Sequence, residues 1–244
     1  MIHRGRDRYK THAGIPHGST LQLATKLSIY FQWKEGVSVD GTTVISWKDQ
    51  SDNSNDCVQE VEGDQAVYTS DGGLDFEQTE SHHYDLSSQV ALSYNEGFCC
   101  FLVCAKESTS GNNTILGLSD GAHFLELYGG GNSVRFRAAT TTTTISPGDG
   151  TQGDFNPSDK MVITISRDSG GTGNIHLYKN GTLLPQDSQA ANQADGEFNQ
   201  ISCRNADRYF DGVIYDIAFV EANANTSNVI EKINTYLKSK HGIN

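Results

Sequence analysis

The feature that most constrains this chain is a period of two. From Leu27 to Ala222, short runs alternate apolar and polar residues, and Gly, Asn, Asp and Ser cluster between them. In "SVRFRA" (133–138) Val134, Phe136 and Ala138 fall on one side, Arg135 and Arg137 on the other. Side chains of a strand point alternately to opposite faces, so this pattern predicts half-buried strands rather than helices. Similar runs are "LSIYFQW" (27–33), "TTVISWK" (42–48), "GLDF" (73–76), "GFCCFLVCAK" (97–106), "NTILGLS" (113–119) and "AHFLELY" (122–128). Further along come "MVITISRD" (161–168), "NIHLYKN" (174–180), "FNQISC" (198–203) and "GVIYDIAFVEA" (212–222). In "GNIHLYKNGTLL" (173–184) the run stops at Asn180-Gly181 and restarts. That dipeptide supplies the positive φ angles of a two-residue hairpin turn. Gly outnumbers Pro by 25 to 4, as many tight turns require. The expected fold is all-β, an antiparallel sandwich of ten or more strands.

Two segments depart from the alternation. Thr140–Thr144 is a run of a good strand former and reads as an exposed strand or hairpin edge. Residues 225–244, "NTSNVIEKINTYLKSKHGIN", put Val229, Ile230, Ile233, Tyr236 and Leu237 on one helical face. Thr226 or Ser227 caps the start, Lys238, Lys240 and His241 suit the C-terminal dipole, and Gly242 ends the helix. One such helix after many strands must pack on the outside of the sandwich.

The formal charge is −12 over 244 residues, unevenly spread. Residues 1–26 hold Arg4, Arg6, Arg8, Lys10 and Lys26 against Asp7, a balance of +4, which leaves −16 for the rest. An acidic body repels nucleic acid and anionic membrane, so neither is an expected partner. The chain divides into an arm, 1–26, and a sandwich, 27–244. Arg4, Arg6, Arg8 and Lys10 are candidates for an assembly anchor; a solvated terminus is the alternative reading. The basic start lacks the apolar core of a secretory leader, and no run spans a bilayer, so cytoplasmic synthesis is expected. Cys57, Cys99, Cys100, Cys104 and Cys203 form no Cys-x-x-Cys pair and read as buried free thiols, with Cys100 and Cys104 on one strand face.

Four segments, in order, resemble the concanavalin A-like lectin/glucanase and laminin G-like domains. They are "VSVDGTTVISWKDQSDNSNDCVQ", "GGLDFEQTESHHYDL", "IHLYKNGTLL" and "RYFDGVIYDIAFVEANANTSNVIEKINTYLKSKHG". Asp52 and Gln78 stand where that pattern has Gly. The resemblance implies a jelly-roll sandwich with a terminal helix. It also implies a non-catalytic module binding glycans or proteins, of the kind found in phage virion decoration, tail or fibre proteins. Implied partners are other virion or assembly subunits, copies of the chain itself, and surface glycans, with the virion as final location.

Laminarinase-type relatives carry Glu-x-Asp-x-x-Glu on one strand, because glycoside hydrolysis needs two carboxylates across the scissile bond. In "VIYDIAFVE" Asp216 is present, but Ile214 replaces the first Glu, and Glu221 falls on the opposite face by strand parity. A polysaccharide-degrading enzyme drawing carboxylates from separate strands is the rival reading, and a free soluble lectin a third. The oxygen-rich "DQSDNSND" offers Asp49, Asp52 and Asp56 to Ca²⁺, the one cofactor considered; an Asx-rich turn is the plainer reading. Cys57 and Gly63 occupy positions where an EF-hand needs Gly and Glu. Glu80, His82, His83 and Asp85 read as a solvated loop, since neighbouring histidines of a strand face opposite ways. There is no Gly-x-Ser-x-Gly, and "YGGGNS" lacks the Lys of a phosphate loop. For ligand recognition the candidates are Asn112, Asn113, Asp120, His123, Tyr128 and Asn132 on rim loops, with Arg135 and Arg137 on an outward strand face. Trp33 and Trp47 each close an apolar strand and read as core.

Overall fold

The structure, a computed structural model, describes residues 27–107, 111–128, 133–146, 155, 158–170, 172–185, 191–221 and 227–244. The arm with Arg4, Arg6, Arg8 and Lys10, and also Asn132, lie outside the described residues. The strands begin with β1 (Leu27–Phe31), β2 (Val37–Asp40), β3 (Thr43–Trp47), β4 (Cys57–Val58), β5 (Val67–Tyr68) and β6 (Leu74–Phe76). Next come β7 (Tyr84–Leu92), β8 (Phe98–Lys106), β9 (Asn112–Gly117), β10 (Phe124–Tyr128), β11 (Ser133–Ala138) and β12 (Thr141–Ile145). The last are β13 (Lys160–Arg167), β14 (Ile175–Lys179), β15 (Thr182–Leu183), β16 (Gly196–Ile201) and β17 (Gly212–Glu221), followed by α1 (Ser227–His241).

All described pairings are antiparallel. One layer runs β15–β14–β13–β8–β17, with β1 beside the later part of β17 and β6 beside its start. The other runs β12–β11–β10–β9–β16–β7–β4–β3–β2. β5 pairs with β3 and with β6, so hydrogen bonding passes around one edge between the layers. The expected antiparallel all-β fold with one C-terminal helix is what the chain adopts.

The core lies between the layers and under the helix. β8 is buried along its whole length because it has an apolar neighbour on each side. Phe98, Cys100, Leu102 and Cys104 face the inter-layer core; Cys99, Phe101, Val103 and Ala105 face α1. The helix answers with Ile230, Ile233 and Leu237, flanked by Val229 and Tyr236, the face its periodicity predicts. Gly242, at φ +65°, closes it, and the Ile243 amide donates to the Lys238 carbonyl. Asn180 (φ +49°) and Gly181 (φ +83°) make the expected hairpin turn between β14 and β15. The threonine run forms β12, paired with β11. All five cysteines are buried and free. Trp47 is core, whereas Trp33 is only half-buried and packs at a tilt against His241, ring centres 4.9 Å apart.

Candidate functional site

Period two gives the second layer a clear outer face. Leu125 and Leu127 of β10, and Val134, Phe136 and Ala138 of β11, enter the core. Phe124, Glu126 and Tyr128, with Ser133, Arg135 and Arg137, therefore point away from it. Glu126 lies directly opposite Arg135, and Tyr128 opposite Asn112 of β9. The Glu126 side chain is 0% exposed although it sits on an outer face, because two guanidinium groups roof it. Arg135 Nη1 is 3.1 Å from Oε1, and Arg204 Nε is 3.2 Å from Oε2. Neither contact is aligned as a hydrogen bond, so charge rather than directed bonding holds the carboxylate. Burial raises its pKa, against the lowering pull of Arg204, Arg135 and Arg208. The guanidinium carbon of Arg204 rests 3.8 Å from the centre of the Phe124 ring; that of Arg135 rests 4.4 Å from Tyr128 and 5.6 Å from Phe124. Such stacking orients a guanidinium while leaving its in-plane donors available.

Arg204 and Arg208 come from the segment after β16. There Asn205 (φ +55°) and Ala206 (φ +48°) form a tight turn, with Arg204 and Asp207 exchanging backbone hydrogen bonds at 3.2 and 3.0 Å. Ser202 (φ +66°) and Arg208 (φ +60°) are also left-handed. For Ala206 and Arg208 that conformation costs roughly 1 kcal/mol or more each, and such strain gathers where side-chain placement matters. The segment lies hard against β9: a Cβ on Gly117 would strike the Cys203 carbonyl, and one on Gly121 would lie 2.9 Å from Asn205 Cβ. Four of the five arginines in residues 27–244 thus gather on one face of an acidic chain.

The predicted ligand residues divide. Tyr128, Arg135 and Arg137 share this face, and Tyr128 is 38% exposed. Asn112 and Asn113 are buried on β9, where Asn113 Oδ1 accepts the Asp211 amide at 3.0 Å. Asp120 closes its own turn by accepting the Ala122 amide at 2.8 Å, and His123 Nδ1 accepts the Glu197 amide at 3.0 Å. Sequence reasoning missed Phe124, Glu126, Arg204 and Arg208. The alternation in "AHFLELY" puts Phe124 and Glu126 on one side, a signal that was there to read.

In the oxygen-rich loop, Asp49 is an Asx-turn organiser. Its Oδ1 accepts the amides of Tyr30 (2.7 Å) and Ser51 (2.8 Å); its Oδ2 accepts the Ser51 hydroxyl (2.6 Å) and the Asn55 amide (2.9 Å). Asp56 accepts the Asp49 amide at 3.0 Å, and Asp52 is exposed. The carboxylates that converge, among the described residues, are Asp75, Glu77 and Glu107, with oxygens within 4.8 Å of one another. Burial raises all three, and neighbouring carboxylates add to it: Asp211 for Asp75, and Asp75 with Asp211 for Glu77 and Glu107. His82 corrects the solvated-loop reading: it is buried, and its Nδ1 accepts the Glu77 amide at 3.0 Å.

Asp216 also differs from simple parity. A bulge between Ile214 and Asp216 sends it to the helix side, where Lys240 and His241 hold it. Among the described residues, no helix is long and apolar enough to cross a membrane.

The fold is that of an antiparallel β-sandwich domain with one C-terminal helix. No family model and no curated protein matches the chain. Among solved structures it is similar to domain 4 of AbnA, a GH43 extracellular arabinanase from Geobacillus stearothermophilus, in complex with arabinotriose. That match has a TM-score of 0.59 and 14% identity, covering 86% of this chain and 98% of that one. It is also similar to the botulinum neurotoxin type G receptor-binding domain (TM-score 0.54, 15% identity, 87% of this chain and 51% of that one). A third is a structure of botulinum neurotoxin type C, whose cell entry depends on interaction with two ganglioside molecules (TM-score 0.52, 13% identity, 90% and 53%). The chain spans about half the length of these toxin chains. At such identities the likeness is one of fold.

Proposed function

We propose that this chain is a non-catalytic binding module that takes a glycan on the outer face of its second layer. The observation that carries the reading is the Tyr128–Arg135 pair, an exposed aromatic ring with a guanidinium 4.4 Å over it, which together offer a sugar an apolar surface and N–H donors. The folds it resembles belong, by their names, to an arabinotriose complex and to receptor-binding domains, which supports binding over catalysis. Residues 1–26 serve as an anchor to a larger assembly, and a phage particle is the setting the sequence resemblance implies. The test is a glycan array probed with the full chain. The expected result is retention of a subset of glycans, weakened by Tyr128→Ala. Deleting residues 1–26 should leave glycan binding intact while abolishing assembly. No binding to any glycan overturns the reading.

The rival, a polysaccharide hydrolase, has one observation behind it: Asp75, Glu77 and Glu107 converge from two segments of the chain, with oxygens within 4.8 Å of one another, and glycoside hydrolysis needs two carboxylates at the scissile bond. Cleavage of a polysaccharide, lost in Glu107→Gln, would replace the binding reading.

A further inference from the structure

The arginine face carries more cation than its own carboxylates need. Glu126 is one anion between two guanidinium groups, and Asp207 pairs with Arg208 at 3.1 Å in a contact where both side chains are about half exposed. Exposed pairs of that kind are weak and readily exchanged. Arg137 adds a fourth cation two residues from Arg135, with its Nε directed to the Ala139 carbonyl at 3.3 Å. Each guanidinium carries five N–H donors, and the contacts named here bring one nitrogen of each close to an oxygen.

Three features build this face rather than merely decorate it. Glu126 keeps Arg135 and Arg204 side by side, where their mutual repulsion would otherwise drive them apart. Phe124, 1% exposed, is a floor for both. The turn at Asn205 and Ala206 carries Arg204 onto Glu126 of β10, Arg208 lies near enough for its charge to act on Glu126, and Gly117 and Gly121 let that segment approach. A local surplus of positive charge on a −12 chain attracts one kind of ligand, an anion. The planar fork of arginine fits a planar carboxylate by two parallel hydrogen bonds.

We propose that Arg135, Arg204 and Arg208 receive the carboxylate of an acidic sugar, with Tyr128 against the sugar ring and Glu126 and Phe124 as positioning residues. This rests on the glycan-binding reading and narrows it to carboxylate-bearing glycans, sialic or uronic.

The experiment is calorimetric titration of the full chain with 3′-sialyllactose, trigalacturonate and lactose. At least one acidic probe should bind and lactose should not; which acidic probe binds assigns the source of the carboxylate. Arg208→Ala, at a half-exposed position, should weaken binding by about tenfold, the worth of one charge-assisted contact. Arg204→Lys should do likewise, because an ammonium lacks the fork. Arg204→Ala strands the buried Glu126 charge, so it is paired with the Glu126→Gln/Arg204→Ala double variant, which folds without that burden and should still fail to bind. Acidic probes binding no better than lactose, or arginine variants binding like the parent, overturn this inference. Array hits confined to neutral glycans overturn it while leaving the broader reading in place; no glycan binding at all overturns both.

Discussion

Lys240, near the end of α1, places its Nζ 2.8 Å from Oδ1 and 3.0 Å from Oδ2 of Asp216, a fully buried carboxylate on β17. The Trp33 amide donates to the same Oδ1 at 3.0 Å, and His241 Nε2 contacts Oδ2. One buried anion therefore ties the last turn of the helix to the sheet and to the end of β1. Removing one partner of such a pair leaves the others charged or unsatisfied. Asp216→Ala should cost about 3–5 kcal/mol in urea unfolding. The pair Asp216→Leu with Lys240→Met should recover much of that loss, since no charge is then buried. A single Asp216→Ala chain as stable as the parent would show that the helix is held by its apolar face alone.

Gly117 sets how closely the arginine-bearing segment crosses β9. Gly117→Ala should destabilise the fold by about 1–3 kcal/mol through overpacking against the Cys203 carbonyl. Arg204 should move with it, so the variant should also weaken acidic-sugar binding. Undiminished thermal stability would mean that the segment yields freely.

The thiols give a test of burial. Burial pushes Cys99 and Cys104 up to about 12 and Cys203 up to about 11, and raises Cys57 and Cys100 as well. The thiolate is the reactive form, so native protein at pH 8 should leave a thiol reagent nearly unconsumed. In denaturant all five should react. Prompt labelling of the native chain would place at least one cysteine outside the core.

Asp71 links stability to acid. Burial would raise its carboxyl, but bonds from Thr69 (2.6 Å), Lys160 (3.1 Å) and Tyr215 (3.0 Å) hold it down to about 2. A depressed carboxyl stabilises the fold above its unfolded value, about 4, and that contribution is lost as pH falls through about 2. Asp71→Asn should therefore destabilise the chain at pH 7, and the gap from the parent should close between pH about 4 and about 2. The effect should be modest because the side chain is 50% exposed. A gap that stays constant with pH would assign the loss to packing.

Asp75, Glu77 and Glu107 act in the opposite sense. A raised carboxyl favours the folded state when protonated, and that advantage fades as pH rises through its folded value. Glu107→Gln should raise the melting temperature at pH 7, with the gain shrinking towards acid pH. A lower melting temperature at pH 7 would mean that the charge is compensated in the native state.

Sequence alone determined what depends on near neighbours. The period of two settled that the chain forms strands and which side chains of β10, β11 and β14 enter the core. Helical spacing settled the inner face of α1, and Asn180-Gly181 settled its turn. β7 escaped notice because Ser88 interrupts its apolar side, Tyr84, Leu86, Val90 and Leu92, in the middle of a polar Ser87–Gln89 run, and only its pairing with β16 and β4 makes it a strand. Tertiary structure decided everything that depends on which strands meet. Glu126 and Arg204 are far apart in the chain and touch only because β9 joins β10 to β16. Asp216 changed sides because a single bulge shifts every later residue by one. Alternation records the two faces of a strand but carries no information about its neighbours, which are fixed by the joint packing of the two layers.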